Sequence, residues 1–473
     1  MPLFVKERSF YSKLLHIAIP ISLQGVVMFG VNVTDTVMVG SLGENSIAGV
    51  AIANQFTFLY QITCFGIAAG MGVLAAQFWG KKDREAIGAG LSIIIKIAFV
   101  FGLMFLVAAF FFPHNIMGIY STDALVKTEG AAYLRFLSMG YLFMGLTTMI
   151  AFTLRTVGIV KVTLFTNCIV FVLNIFLDWM FIFGNLGAPR MGTAGAALAT
   201  TICRFIEAAI VIIYLLKIDT RIQFRLHMLL RWDKDIFRNY LRNGAPVIVS
   251  DVFLGIGGNM ISVVLGRMGA VVMSAAAIAN MINQLVMVLM MGVSNASGVI
   301  TGNTIGAGEQ KKVREYGKTF LAIAILVSLF AIVCIQLVKV MIFHQFQIGG
   351  ITIQAFNLED STKRLAGQLV NTLSFLTTAI MLSQILTKGI LRAGGDTKFL
   401  MIADVLFLWV VSVPLGFITG LVFKWPPYIV FFFLRIDEVI KCVWCLTRFF
   451  SWKWIRDVAV RGDKTGGTTP RID

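Results

Sequence analysis

The chain has 473 residues, 58% apolar and 14% charged, with a mean hydropathy of +0.85. Soluble domains average about 45–50% apolar and about 25% charged, so composition excludes a soluble globular protein, a disordered chain and a coiled coil, and leaves a polytopic helical membrane protein. The 40 Lys and Arg against 24 Asp and Glu give a formal charge of +16, but these cations sit in short loops between apolar runs, the pattern of the positive-inside rule and not of nucleic-acid binding.

A spanning helix needs about 20 apolar residues, and twelve such runs are expected along the chain. Lipid offers no partner to an open backbone group, so all of them should be helical. The first, about 14–39, follows Lys6, Arg8 and Lys13. No small-residue cleavage site follows it, so it reads as a retained helix and not a signal peptide. Five more lie at about 47–78, 88–112, 129–154, 162–184 and 193–216. The basic stretch Lys217–Arg242 reads as a linker with membrane-surface contacts and an interfacial helix at Leu226–Trp232. The last six runs are about 241–265, 273–304, 318–344, 366–391, 398–423 and 427–447. The expected organisation is an N-terminal lobe over 1–216, a linker over 217–240, a C-terminal lobe over 241–449 and a tail over 450–473.

Of the 40 Lys and Arg, 27 fall at the termini and in the even-numbered loops, with Arg155 and Arg392 counted among them. The opposite loops hold six: Lys127, Arg190, Arg267, Lys363, Arg364 and Lys424. Both termini are therefore expected to be cytoplasmic, in a plasma membrane.

The sequence repeats itself. A shift of 226 residues lays Pro20 on Pro246, Gly43 on Gly269, Gly66 on Gly292 and Gly80 on Gly306, and the run 51–54 on 277–280. Later the shift grows to 237, laying Arg155 on Arg392 and Gly158 on Gly395. Six spans per copy is an even number, so both copies enter the membrane the same way round, about an axis along its normal.

No nucleotide site is expected. The nearest approach to a phosphate loop is Gly317-Lys318-Thr319, where Lys312 stands in place of the required earlier Gly. Any pumping would use an ion gradient.

Ionisable residues inside apolar runs are costly, so each is a site candidate. Span 1 carries Asp35, and span 5 carries Asn174 and Asp178 at i, i+4 on one helix face. Counted from the outer helix ends, both carboxylates lie about 8–9 Å deep, and Thr200 of span 6 lies about 12 Å deep. Two carboxylates, an amide and a hydroxyl in one depth band suit Na⁺ or a proton, because paired carboxylates in low dielectric repel unless a cation or proton lies between them. The second copy has Ile261 and Leu415 at the matching positions. Its own buried charges are Asp251 in span 7 and Lys388 in span 10. Two readings stand for them: an ion pair that latches one state, or a lysine reaching the inner interface beside Arg392. Asp404, Asp437, Glu438 and the Arg204/Glu207 pair read as helix–helix hydrogen bonds. Cys442 and Cys445 form a CxxC without a second pair, read as apolar packing. Some of the 22 Met and 40 Phe suit an adaptable cavity for organic cations.

Three stretches, residues 33–40, 173–178 and 389–398, together with 195–200, resemble the multidrug and toxic compound extrusion (MATE) transporters, and the resemblance covers nearly the whole chain. It implies a V-shaped pair of six-helix lobes and drug/Na⁺ or drug/H⁺ antiport. It implies a first-lobe cation site, which Asp35, Asn174 and Asp178 match residue by residue and Thr200 matches less directly. Some members also use acids in spans 7 and 10. Here Asp251 stands about one turn earlier than the first and Met381 occupies the second, so the first-lobe site is the expected one. The spans lining the cleft should be 1, 2, 7 and 8.

The expectation is a monomeric secondary antiporter, not an enzyme, exporting small amphipathic or cationic compounds through a lipid bilayer. It would need no cofactor beyond the coupling ion, and no nucleotide or nucleic acid. The alternatives are a lipid-linked saccharide flippase of the same superfamily, an intramembrane enzyme, for which no Asp-x-x-x-Asp metal motif is found, and a channel.

Overall fold

Apolar runs bounded by polar caps fold into long helices in a computed structural model that describes residues 4–343, 346–348, 351–353 and 360–460. In the N-terminal half these are α1 (Arg8–Gly40), α2 (Glu44–Gly80), α3 (Arg84–Phe111), α4 (Pro113–Tyr120), α5 (Ala124–Leu137), α6 (Gly140–Thr156), α7 (Lys161–Phe183) and α8 (Thr193–Ile213). The C-terminal half has α9 (Lys234–Arg267), α10 (Ala270–Gly306), α11 (Gln310–Phe343) and α12 (Asp360–Gln384), with α12 running through a π turn into α13 (Leu391–Ala393). It ends with α14 (Thr397–Leu406), α15 (Val413–Phe417), α16 (Pro427–Phe433) and α17 (Ile436–Phe450). Two short strands, β1 (Phe346–Ile348) and β2 (Ile351–Ile353), pair antiparallel between α11 and α12. Asp83, Asp123 and Asp233 start α3, α5 and α9 by accepting first-turn N–H groups, which satisfies donors that a helix start leaves open.

The expected count of twelve spans is modified. Ten helices among the described residues are long and apolar enough to cross a membrane, or eleven with α5 and α6 taken as one span bent by 54°. The twelfth expected span is two short helices, α16 and α17, because Asp437, Glu438 and Lys441 enter the first turns of α17 and interrupt the apolar run. The expected interfacial helix at Leu226–Trp232 is only a 3₁₀ turn, Leu226–Leu229. Residues 461–473 of the expected tail lie outside the described residues.

Repeated positions share backbone conformation. Gly43 and Gly269 have φ of +120° and +121°, and Gly158 and Gly395 have +80° and +82°, values open to glycine and strained for other residues. Each half has its own buried core. The first half of α1 nevertheless packs into the C-terminal core through Phe10, Leu14 and Ile17. Conversely, Ile236 and Tyr240 of α9 pack into the N-terminal core.

The halves meet closely toward the face that bears both termini. A Cβ on Gly70 would sit 2.8 Å from Gly244 Cα, and one on Gly306 would strike Gln77, so small residues let these backbones touch. On the same face residues 451–460 cross from α17 to α2. Gln77 Nε2 donates to Ala393 O at 2.9 Å and Arg456 O at 3.1 Å, and its Oε1 accepts from Val458 N at 2.8 Å. Trp454 is fully buried against Gly394 and Phe449. Away from that face, Val33, Val37, Val263 and Val271 are exposed.

Candidate functional site

A cavity of about 530 Å³ lies within the N-terminal half, walled by α1, α2, α5, α6, α7 and α8. At its end away from the termini it is lined by Asp35, Asn174 and Thr200, with Tyr133 and Arg204 beside them. Asp178 is fully buried behind this wall, and its carboxyl is close enough to that of Asp35 for the two to act on each other. The helical register of α7 places Asn174 one turn from Asp178, as the i, i+4 spacing requires. All four of the expected residues therefore come to one end of one cavity.

The oxygen inventory there is unusual. Asp35 Oδ1, Asn174 Oδ1 and both Asp178 carboxyl oxygens are buried and meet no hydrogen-bond donor among the described residues. Buried polar atoms are nearly always paired, and each exception calls for an explanation. Four acceptors converging without a donor form an electronegative nest suited to a proton or a small hard cation.

The walls leading away from that nest are mixed. Phe58, Phe65, Met144 and Phe152 offer apolar and aromatic faces, which suits an amphipathic guest. At the opposite end stand Gln24, Thr163 and Arg155. Arg155 donates to Asn295 Oδ1 of α10 at 3.1 Å and Gln24 Oε1 of α1 at 3.4 Å, with its guanidinium 4.7 Å from the Phe152 ring centre.

The C-terminal half carries a different set of charges. Lys388 Nζ donates to Asp251 Oδ1, and Arg392 adds a two-pronged contact at 3.1 and 2.9 Å. Lys388 sits in the π turn Ile385–Ile390, a local widening of the helix that often marks functional positions. A second cluster ties α9, α14 and α17 together. Ser250 donates to Asp404 at 2.6 Å, Lys441 lies 3.5 Å from Asp404 and 3.0 Å from Glu438, and Ser412 donates to Asp437 at 2.9 Å.

Three expectations from sequence are corrected. Arg392, counted with the loop cations, is 7% exposed and paired inside the protein. Arg155, counted likewise, lines the cavity. Arg204 and Glu207 bond within α8 at 2.8 Å, not between helices. The signal for the first two was present in the 237-residue repeat that lays Arg155 on Arg392. A shared position within two bundles is a structural position, not a loop. Cys442 and Cys445 are buried free thiols.

Comparison with known proteins follows the same lines. The sequence profile of the MatE family matches residues 20–180 and 246–418, two stretches whose starts are 226 residues apart. The chain is 24% identical over 415 residues to "Probable multidrug resistance protein NorM" of Bacillus subtilis (strain 168), covering 87% of this chain and 89% of that protein. It is 23% identical over 421 residues to "Multidrug resistance protein NorM" of Vibrio vulnificus (strain YJ016), covering 87% and 88%. Among solved structures, one described as the "Outward-facing conformation of a multidrug resistance MATE family transporter of the MOP superfamily" superposes with a TM-score of 0.81 at 18% identity, covering 94% of this chain and 97% of that one. That likeness is one of fold.

Proposed function

Because the chain belongs to the MatE family, a family of transporters and not of enzymes, we propose that it is a multidrug efflux transporter driven by inward movement of Na⁺ or H⁺ to Asp35 and Asp178. The observation that carries this reading is the set of acceptors itself: two neighbouring carboxyls at a cavity end, with Asn174 adding an acceptor that meets no donor among the described residues. Thr200 completes the oxygen set.

The chemistry follows from the geometry. A cation or proton between Asp35 and Asp178 draws α1 and α7 together and satisfies acceptors that are otherwise open. Losing it leaves two like charges as neighbours, which favours a different packing of α1. An ion biases an equilibrium between two conformations only by its differential affinity for them, and a site split between two helices supplies that difference. The substrates in this reading are small amphipathic or cationic compounds, held by the aromatic and thioether walls of the same cavity.

In the same reading the two halves are duplicated six-span lobes, with both termini in the cytoplasm, in a plasma-membrane protein that works as a monomer. The Asp251–Lys388 contact then latches the second lobe. The test is efflux of a fluorescent organic cation from proteoliposomes under a pH gradient or a sodium gradient imposed separately. Efflux under one gradient supports antiport and names the ion. No response under either removes this reading.

A further inference from the structure

The two halves treat one repeated cation in opposite ways. In the C-terminal half Arg392 is neutralised by Asp251, which also receives Lys388. In the N-terminal half the counterpart of Arg392 is Arg155, the counterpart of Asp251 is Gly25 and the counterpart of Lys388 is Ala151. Both the acid and the second cation are therefore missing, and the arginine remains.

No neighbouring carboxylate replaces the lost acid. Among the described residues, none forms an ion pair with Arg155. Its protein partners are the neutral oxygens of Asn295 and Gln24 and the face of Phe152. A side chain at position 25 would displace Val288, since a Cβ on Gly25 would sit 2.8 Å from Val288 Cγ1. Three of the five guanidinium N–H donors meet no acceptor among the described residues. The group stands at the wall of the cavity, with Thr163 and Asn167 on the same wall. A guanidinium held away from bulk water without a counter-charge is a strong receptor for a planar oxyanion, which it can engage with two parallel hydrogen bonds.

We propose that Arg155 is the anion subsite of this cavity, and that the preferred substrates are amphipathic molecules bearing a carboxylate or similar oxyanion in addition to a cationic group. The inference rests on the efflux reading and sharpens its substrate class. Gln24 is the partner of Arg155 on α1, and Asp35 lies eleven residues further along that helix, about 16 Å by helical rise. The cavity thus carries Asp35 toward one end and Arg155 at the other, with Arg204 and Glu207 neutralising each other on the α8 wall and apolar and aromatic side chains along the rest. A zwitterion long enough to span part of that distance meets a complementary group at each end. Its anion also competes with Asn295 for the guanidinium, and so acts on a contact between the two halves.

The experiment titrates detergent-purified full-length protein with two xanthene dyes by fluorescence anisotropy. One dye is a rhodamine with a free carboxylate, and the other is its methyl ester, which keeps the cation and lacks the anion. A charge-assisted pair predicts that the wild type binds the acid about tenfold more tightly than the ester. Arg155→Gln should remove that preference and leave ester affinity within about twofold, while Arg155→Lys keeps part of it. Ala151→Glu places a carboxylate one turn before Arg155 on the cavity wall and should abolish the preference with the arginine intact. This second variant covers the case in which Arg155→Gln does not fold. A wild type without acid preference, or an Arg155→Gln that weakens both dyes equally, overturns the subsite and leaves the efflux reading standing. Arg155-dependent binding of the acid with no binding of the ester supports the subsite and removes the cationic substrate class. Binding of neither dye overturns the subsite, and the gradient-driven efflux assay decides the function separately.

Discussion

Asp35 of α1 and Asp178 of α7 are neighbours in the fold, although 143 residues separate them in the chain, and among the described residues neither Asp178 oxygen has a protein donor. A pairing of this kind does not hold a fold together unaided, because like charges repel and unpaired buried acceptors cost free energy. In the efflux proposal its use is as a receptor for positive charge.

Asp178→Asn is expected to fold, since an amide relieves the repulsion, and to lose at least about tenfold of gradient-coupled efflux. The purified variant should elute as a single species with an unfolding midpoint at or above the wild type. Full coupled efflux in this variant would remove Asp178 from the site.

Asn174→Leu and Thr200→Val each remove one oxygen from the nest while preserving bulk. Each should raise the ion concentration needed for half-maximal efflux by about tenfold, in keeping with the loss of one hydrogen bond to a charge. Maximal efflux at saturating ion should change little. An unchanged ion dependence in both variants would restrict the site to the two acids.

Asp251→Asn should destabilise the protein by about 3 kcal/mol, because Lys388 and Arg392 then face each other without a buried counter-charge. Lys388→Met should cost less, since Arg392 still holds Asp251 by two hydrogen bonds. Chemical denaturation in detergent measures both. If Lys388→Met proves the more damaging, the lysine and not the arginine is the main partner of Asp251.

Gln77→Ala should loosen the face that bears the termini. The side chain bridges α2 to Ala393, Arg456 and Val458, and its loss leaves several of those groups unpaired, at about 1–3 kcal/mol. The expected readout is faster labelling of a cysteine placed at Ala307, which lies against Gly80 across the junction. Unchanged labelling would show that the glycine contacts alone keep this face closed.

Much of this protein is legible along the chain, because the membrane imposes its rule locally. Twenty apolar residues between polar ends must be helical in lipid, and that rule locates ten of the helices. Side chains four apart share a helix face, so Asn174 and Asp178 are legible as neighbours. The repeated glycines and prolines are legible too, because the backbone conformations that need them recur. Two runs depart from a single straight helix: 129–154 is bent by 54° between α5 and α6, and 427–447 is divided where Arg435 and the first turns of α17 bring charges that find partners on other helices.

What sequence by itself determined is thus the class of the protein, most of its helices and the identity of the acids at the cavity end. Only the tertiary structure decided which charges neutralise one another. Counted along the chain, Arg155 and Arg392 are equivalent cations at loop ends. In three dimensions one is bound to Asp251 and the other stands at the cavity wall beside Gln24 and Asn295. The physical reason is that a buried charge is governed by what lies within a few ångströms of it in the folded protein, and those neighbours come from helices more than a hundred residues away.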